Sequence, residues 1–479
     1  MKKLISAILS FTFIFSSFSL LTATAQSKEN AAANDSVTIF IDGIMAENIV
    51  DAETGERIYP PKAMNIVKKA LVNAPKFLWY IATGKGEKAA EAAGQIVEAA
   101  FGGIMCDENG NIPSSTRFDY TLPTKEDIKD YLQNASPAKM LRFAFDWRLD
   151  IKTSAQQLHS FIEYVLEHTG KTGVNIVALS MGTCVFASYL KMYNYEYIDG
   201  AVFLVGGLNG ATCCGEPFCS DVNTDADILV TYVNAMVGNG AGGKFLKGLL
   251  KILNKTGVLK AVCKMTNKVN DKYGEFLFDR IFSSVFAKLP GMWAMVPLEM
   301  YDRAKQTNGK GMSDTVREAS DWYHYEVQAH TAEIVQGCFD RGIKTGIVAK
   351  YGYPCIPVLK SALNMTDGVI DTKYESFGAT VAPFGSTLGD GYVQKVDNGH
   401  NCISPDGIID SSTGTFCEYT WFIKNSIHAD DYEETAPLFN FIFSSDKQVT
   451  CFDGDYSQYL IIEDGVLTAL TAENDYNNY

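Results

Sequence analysis

Short apolar runs alternate with amphipathic segments through the first 207 residues of the chain. The runs SVTIFIDGIM (36–45), MLRFAFDW (140–147), VNIVAL (174–179) and DGAVFLVGG (199–207) predict strands. The segment SAQQLHSFIEYVLEHTGKTG, at 154–173, predicts an amphipathic helix that ends in glycine. Strands and helices in this rhythm predict an α/β fold, with a mostly parallel sheet and helices on both of its faces.

The alternation of predicted strands and helices stops after Gly207 and resumes with the apolar run KTGIVAKYG at 344–352. The intervening residues, 208–340, have mainly helical patterning with glycine-rich breaks. Because the sheet pattern resumes afterwards, we interpret this segment as a helical cap inserted into one core. That core would consist of residues 36–207 and 341–479.

The first residues have the pattern of a secretory signal peptide. MKK is a basic start, a long apolar run follows, and ATA precedes Gln26. We therefore predict cleavage after Ala25, a flexible lead-in at 26–35, and a secreted or extracytoplasmic mature protein.

Composition narrows the possible partners. The 479 residues are 47% hydrophobic and carry a net charge of −15, from 41 basic and 56 acidic residues. A chain this acidic is a poor general binder of nucleic acid, so we predict no nucleic-acid partner. We also predict no cofactor and no metal, because the cysteine cluster CCGEPFC at 213–219 lacks a second ligand pair at a suitable spacing. Among the eleven cysteines, Cys402 and Cys417 share one polar loop region and could close a disulfide.

The stretch ALSMG, at 178–182, lies between a predicted strand and a predicted helix. This is the context of the nucleophile elbow G-x-S-x-G, in which a serine occupies a strained turn. Ala178 replaces the first glycine, but it is small enough for such a tight turn. Ser180 would then be a nucleophile, and the N–H of Met181 would line an oxyanion hole. The alternative is that Ser180 merely caps the helix.

The chain order serine, acid, histidine is that of α/β-hydrolases. Only two of the six histidines follow the predicted cap, His400 and His428. The acid should follow a late strand, where Asp390 fits, with Asp367 and Asp371 as rivals.

Several segments resemble the lecithin–cholesterol acyltransferase and lysosomal phospholipase A family. AFDWRLD, an amphipathic helix and ALSMG occur in the family's order. IFIDGIMAENI resembles its LVPGIMGS turn, with Asp42 in place of proline. AKLPGMWAMVPLEMY is similar to its MPSLLWLLP segment. The resemblance implies the α/β-hydrolase fold, and Asp146, Trp147 and Arg148 resemble a structural element beneath the site.

The same resemblance implies roles for site residues. STLGDGYV resembles the family's GDGTV turn and favours Asp390 as the acid. NSIHADDYEETAPLFNFIF resembles its catalytic histidine and final helix, and favours His428. The second oxyanion N–H would be that of Ile44. The sequence departs from the family pattern at Leu179, Thr183 and Tyr392, and these departures indicate a distant member.

We therefore expect a serine hydrolase or O-acyltransferase acting on a lipid acyl ester. The alternatives are a secreted carboxylesterase for soluble or polysaccharide-linked esters, and an inactive α/β-hydrolase fold that serves in binding. Hydrolysis and acyl transfer share an acyl-enzyme and differ in whether water or an alcohol attacks it, so the sequence does not separate them.

One segment of the predicted cap is basic, although the chain as a whole is acidic. Residues 228–270 contain no Asp or Glu, and GKFLKGLLKILNK, at 243–255, predicts a basic amphipathic helix. Its lysines recur at helical spacing: Lys244, Lys247, Lys251 and Lys255. Such a helix is typical of an element that contacts an anionic membrane surface, but a solvated face of a packed cap helix would look the same.

Overall fold

The computed structural model describes residues 36–475, apart from 62–67, 70–71, 74, 78, 81–82, 135–138, 239 and 278–282. The predicted signal peptide (1–25) and lead-in (26–35) lie outside the described residues. Among the helices of the described part, none has the length and apolar character needed to cross a membrane.

The longest strands lie near the middle of the chain, and most of the others are short. In chain order they are β1 (Val37–Ile41), β2 (Ile49–Asp51), β3 (Arg57–Tyr59), β4 (Thr116–Phe118), β5 (Leu141–Phe143), β6 (Val174–Leu179), β7 (Ile198–Leu204), β8 (Lys344–Tyr351), β9 (Tyr353–Pro354), β10 (Met365–Thr366), β11 (Thr380–Val381), β12 (Ile409–Asp410), β13 (Thr420–Lys424), β14 (Tyr459–Glu463) and β15 (Val466–Ala469).

The helices cluster between the strands and in the predicted cap. They are α1 (Gly86–Phe101), α2 (Lys125–Gln133), α3 (Ile151–Thr169), α4 (Gly182–Tyr193), α5 (Thr212–Phe218), α6 (Ala226–Met236), α7 (Ala241–Lys255), α8 (Val258–Leu277), α9 (Ser283–Val285), α10 (Pro290–Ala294), α11 (Leu298–Asn308), α12 (Asp314–Trp322), α13 (Thr331–Asp340), α14 (Thr372–Glu375) and α15 (Tyr432–Ser444). A π-helical turn at Tyr323–Val327 follows α12.

Eight strands form the central sheet, in the order β15-β14-β13-β8-β7-β6-β1-β5. Neighbours pair in parallel from β5 to β14, and only β14 and β15 are antiparallel. The predicted α/β class with a mostly parallel sheet is confirmed.

Both faces of this sheet are covered, which explains why its strands read as continuous apolar runs. In β1, Ile39 and Ile41 pack into the larger core cluster, while Phe40 points into a second cluster on the other face. Helices α3, α4 and α13 contribute to the first cluster, and α15 contributes to the second.

The helices α5 to α13 connect β7 to β8, which are adjacent parallel strands. The position of this connection matches the predicted cap, 208–340, although the division into cap and core stays a prediction. Its members differ in how they pack. Helices α10 to α13 share the main core, whereas α6, α7 and α8 build a separate small cluster around Tyr232, Val233 and Leu250.

Helices α6, α7 and α8 form an outer helical group. The amide of Asn308, in α11, binds residues at both ends of this group. Its Nδ2 donates to the carbonyl oxygen of Phe218 at 2.6 Å and lies 3.2 Å from Oγ of Ser220, just before the group begins. Its Oδ1 accepts from Oγ of Ser283 at 3.0 Å, just after the group ends. Asn308 is 1% exposed, so one buried side chain holds both ends together.

Candidate active site

Ser180 lies in a strained turn between β6 and α4. Its φ is +55°, in the left-handed region that residues with a Cβ rarely adopt. The surroundings leave little room. A Cβ on Gly43 would lie 2.9 Å from Cβ of Ser180, and a Cβ on Gly182 would lie 2.5 Å from the carbonyl oxygen of Asp42. Ala178 is fully buried in β6, so the missing first glycine does not prevent the turn. The positive φ of Ser180 matches the strained turn expected of a nucleophile elbow, and the role of Ser180 as nucleophile stays a prediction.

His428 is brought to Ser180 by the loop between β13 and α15. Its Nε2 lies 2.8 Å from Oγ of Ser180, and its Nδ1 is hydrogen-bonded to Oδ2 of Asp367. An ionised carboxylate only accepts hydrogen bonds, so Nδ1 must carry the proton and Nε2 is free to accept from the serine hydroxyl. All three side chains are buried.

Asp367 occupies a turn just after β10 that fixes its carboxylate. Its Oδ1 accepts from the N–H groups of Val369 and Ile370, both at 2.8 Å, which leaves Oδ2 for His428. Burial works against ionisation of Asp367, but the charge and hydrogen bond of His428 outweigh it and hold the pKa of this carboxyl below its usual range.

The structure therefore corrects the choice of acid. Asp390, preferred from the sequence, lies on an exposed loop, and the carboxylate beside His428 is that of its rival Asp367. Asp371 is turned elsewhere and accepts from the N–H of Thr212 at 2.9 Å. His400 is also apart from the group, since its ring stacks on Phe452 with centroids 3.9 Å apart.

The two residues predicted to supply oxyanion-hole N–H groups lie close to Ser180 along the chain or in space. Met181 directly follows Ser180, and Ile44 follows Gly43, which contacts Ser180. Among the described residues, neither N–H donates to another protein atom. The oxyanion-hole roles expected of Ile44 and Met181 stay predictions.

Asp42 adds a buried carboxyl beside this turn. Its Oδ2 lies 2.7 Å from Nε of Arg142. Burial raises the pKa of Asp42 to about 7, although the charge and hydrogen bond of Arg142 act in the opposite direction. The residue that replaces the family's proline is therefore a titratable group next to the elbow.

The Asp146–Arg148 pair lies within the fold and does not touch the Ser180 group. Arg148 is fully buried and binds Asp146 through Nε at 2.9 Å and Nη2 at 2.7 Å. Its geometry is that of a structural ion pair, as the sequence suggested.

Behind Asp367 lies a second layer that sequence reasoning missed. Glu375, in the four-residue helix α14, accepts at Oε2 from the N–H of Lys350 at 2.7 Å. The ammonium of Lys350 donates to the carbonyl oxygens of Ile427, His428 and Asp430, and so holds the histidine loop. Nothing in the local sequence marks either residue, because both lie in ordinary strand and turn patterns.

Asp367, Glu375 and His428 also place ligand-type atoms within 4.8 Å of one another. A metal there would have to compete with the existing bonds, since His428 uses both ring nitrogens on Asp367 and Ser180. The hydrogen-bond network explains this cluster without an ion.

The lysines predicted to contact a membrane lie on α7, in the outer helical group. Lys244, Lys251 and Lys255 are exposed, and Lys247 is half-buried. The leucines of the helix point inward: Leu246, Leu250 and Leu253 pack against α6 and α8. The apolar residues that face solvent are instead Phe245, 72% exposed, and Ile252, 62% exposed, with Leu249 beside them.

Comparisons with known proteins point to one family. Residues 131–236 match the family model described as lecithin:cholesterol acyltransferase, which confirms the resemblance found in the sequence. The match includes Ser180 but neither Asp367 nor His428. Among solved structures, a chain of the crystal structure of the Tle4-Tli4 complex is similar, with 11% identity over 85% of this chain and 98% of that chain and a TM-score of 0.33. No curated protein matches the chain.

Proposed function

We propose that the protein is a serine-dependent hydrolase or O-acyltransferase of lipid acyl esters, with Ser180, His428 and Asp367 as its catalytic residues. The observation that carries this proposal is the continuous hydrogen-bonded line from Oγ of Ser180 through the imidazole of His428 to Asp367. The family match supports acyl-ester chemistry in general terms.

In the proposed reaction, Oγ of Ser180 attacks the acyl carbonyl while Nε2 of His428 takes its proton. The N–H groups of Met181 and Ile44 receive the negative charge that develops on the carbonyl oxygen. Asp367 keeps the imidazole in the required tautomer and stabilises its cationic form. His428 then returns the proton to the leaving alcohol, and an acyl-enzyme remains.

Water or a second alcohol completes the cycle by attacking this ester. His428 takes a proton from the attacking oxygen, the acyl–Oγ bond breaks, and Ser180 recovers its hydroxyl. Both acceptors use the same residues, so the proposal covers both products.

The lipid part of the proposal is supported by α7. An exposed apolar patch made of Phe245, Leu249 and Ile252 adjoins three exposed lysines in a chain with a net charge of −15. Apolar side chains beside lysines on one exposed helix suit the interface of an anionic bilayer, where the rings and aliphatic groups enter and the ammonium groups remain near the headgroups. We include in the proposal that the protein is exported, on the basis of the pattern of residues 1–25.

The test combines an active-site label with a substrate panel. A fluorophosphonate probe should label the wild-type protein at Ser180 and should not label Ser180→Ala. In separate assays, the unlabelled wild-type enzyme should cleave esters in lipid vesicles faster than short soluble esters. Equal preference for soluble esters would indicate the carboxylesterase alternative, and absence of labelling would indicate a fold that serves only in binding.

A further inference from the structure

The carboxylate of Asp367 has another carboxyl group directly behind it. Glu375 and Asp367 bring oxygen atoms within 4.8 Å of each other, and the two residues are 1% and 0% exposed. Two ionised carboxylates at such a distance, away from water, repel each other strongly. Something must therefore neutralise one of them.

The nearest cation does not do so. Lys350 reaches this layer from β8, but its ammonium has three N–H groups and they donate to three carbonyl oxygens of the histidine loop. Lys350 contacts Glu375 through its main-chain N–H, a neutral donor. The other acids near its ammonium, Asp430 and Asp431, belong to the same loop and add negative charge.

The oxygens of Glu375 are also unequal. Oε2 accepts from the N–H of Lys350 at 2.7 Å, whereas Oε1 receives no hydrogen bond from the described residues. A buried oxygen without a donor is costly for a carboxylate, but a protonated Oε1 would itself be a donor. The acceptor within its reach is Asp367, whose oxygens have lone pairs left after the bonds from His428, Val369 and Ile370.

We propose that Glu375 is a neutral carboxylic acid in the resting enzyme, and that its Oε1–H donates to Asp367 and orients that carboxylate toward His428. Glu375 is thus a positioning residue that acts through Asp367 and does not touch the substrate. The inference rests on the proposed function, because it concerns the same catalytic group.

The electrostatic environment agrees with this arrangement. Burial, followed by the negative charge of Asp367, raises the pKa of Glu375 well above its usual range, and Lys350 offsets this only in part. The hydrogen bond from Glu375 in turn helps to keep the pKa of Asp367 low. One proton thus lets two adjoining acids be buried with a single charge.

Two substitutions of Glu375 distinguish the effect of its proton from the effect of its hydrogen bond to Asp367. Glu375→Gln cannot ionise, but its amide can donate to Asp367 and accept from Lys350, so its labelling rate with a fluorophosphonate at neutral pH should stay near that of the wild type. Glu375→Ala removes the donor, and a displaced Asp367 should lower the rate by about 10- to 100-fold. Glu216→Gln is the matched control, since Glu216 is another buried glutamate whose pKa is raised by burial, and it bonds Ser361 rather than the catalytic group.

The pH profile supplies a readout that simple loss of packing would not change. In the wild type, the labelling rate should fall at alkaline pH, when Glu375 loses its proton and a second charge appears beside Asp367, His428 and Lys350. This fall should be absent from Glu375→Gln and present in Glu216→Gln. The same alkaline fall in Glu375→Gln would overturn the inference, as would a Glu375→Ala variant that labels like the wild type.

A spectroscopic measurement keeps the test independent of activity. With ¹³C-labelled glutamate, the infrared spectrum at neutral pH should contain the carbonyl stretch of a neutral acid that disappears in Glu375→Gln. Absence of this band in the wild type would overturn the inference while leaving the proposed function intact. Failure of the wild type to label at all would overturn both.

Discussion

Asp367 and His428 are joined twice, once through their side chains and once through the main chain. The N–H of His428 donates to the carbonyl oxygen of Asp367 at 3.0 Å, while Nδ1 of the ring bonds Oδ2 of the carboxylate. The main-chain bond ties the two loops together, so the orientation of the imidazole does not depend on the carboxylate alone. This double connection lets the acid be tested without displacing the loop.

Exchange of Asp367 for asparagine should therefore give a folded but nearly inactive protein. The amide favours the wrong imidazole tautomer, so we expect kcat to fall by about 10⁴-fold, as for the corresponding change in a serine protease. Steady-state kinetics on an ester substrate would measure this loss. Asp390→Asn is the control and should retain wild-type activity, because Asp390 lies on an exposed loop. The opposite pattern would restore Asp390 as the acid.

A methyl group at Gly43 should disturb the nucleophile directly. Its Cβ would lie 2.9 Å from Cβ and 3.3 Å from Oγ of Ser180, closer than normal contacts allow. Gly43→Ala should lower kcat/KM by about 100-fold, because a displacement of the nucleophile of about 1 Å has that effect. Gly94→Ala, in α1, has no atom within 4 Å of the added Cβ and should leave kcat/KM unchanged. Wild-type kinetics in Gly43→Ala would show that the elbow has more freedom than its contacts indicate.

Asp42 should make stability depend on pH. Its pKa rises from an ordinary value of 3.8 to about 7 in the folded protein, so the folded state binds the proton more tightly than the unfolded state. The stabilisation is complete below pH 3.8 and is lost as the pH rises to about 7. Relative to Asp42→Asn, the free energy of unfolding of the wild type should fall by up to ~1.4 kcal/mol per pH unit within this window. Urea denaturation at several pH values would measure the difference, and parallel curves would mean that Arg142 keeps Asp42 ionised throughout.

The exposed face of α7 should control binding to anionic vesicles. Each lysine near an anionic surface contributes about 1 kcal/mol, so the triple change of Lys244, Lys251 and Lys255 to Glu should weaken binding by at least ~100-fold. Activity on a short soluble ester should stay at the wild-type level. The control reverses Lys125 and Lys129, two exposed lysines of α2, and should bind vesicles normally. Loss of soluble-ester activity in the triple variant would assign α7 a folding role instead.

Cys402 and Cys417 should form a disulfide in oxidising buffer. Their Sγ atoms lie 3.5 Å apart and both residues are buried. Exchange with oxidised glutathione would oxidise the two thiols and release reduced glutathione. Peptide mapping should then find the two cysteines linked, and Cys402→Ser should lose about 2–4 kcal/mol of stability under these conditions. Cys451→Ser changes a third cysteine nearby and should leave the disulfide between Cys402 and Cys417 intact. A link between Cys417 and Cys451 would contradict the assignment.

The parts of the site that depend on local sequence could be predicted, and those that depend on distant packing could not. The turn around Ser180 is set by the adjoining strand and helix, and both are visible as apolar patterns. The sequence left Asp367, Asp371 and Asp390 as candidates for the acid, and only the path of the chain after β8 brings Asp367 to His428. Glu375 could not be recognised from the sequence, because the sequence does not show which of its many acids are buried.

Prediction from the sequence had a similar limit for the exposed face of α7. The sequence predicted the basic helix and its lysines, but periodicity alone could not tell which apolar residues face the rest of the protein. Packing of α7 on α6 and α8 uses Leu246, Leu250 and Leu253 and leaves outside Phe245, Leu249 and Ile252.

Because Asn308 binds residues at both the entry and the exit of the outer helical group, the two ends of that group lie close together. Helices α6 to α8, which lie between these ends, contribute no strand to the central sheet. Substitutions on the exposed face of α7 can therefore accumulate without altering the residues around Ser180.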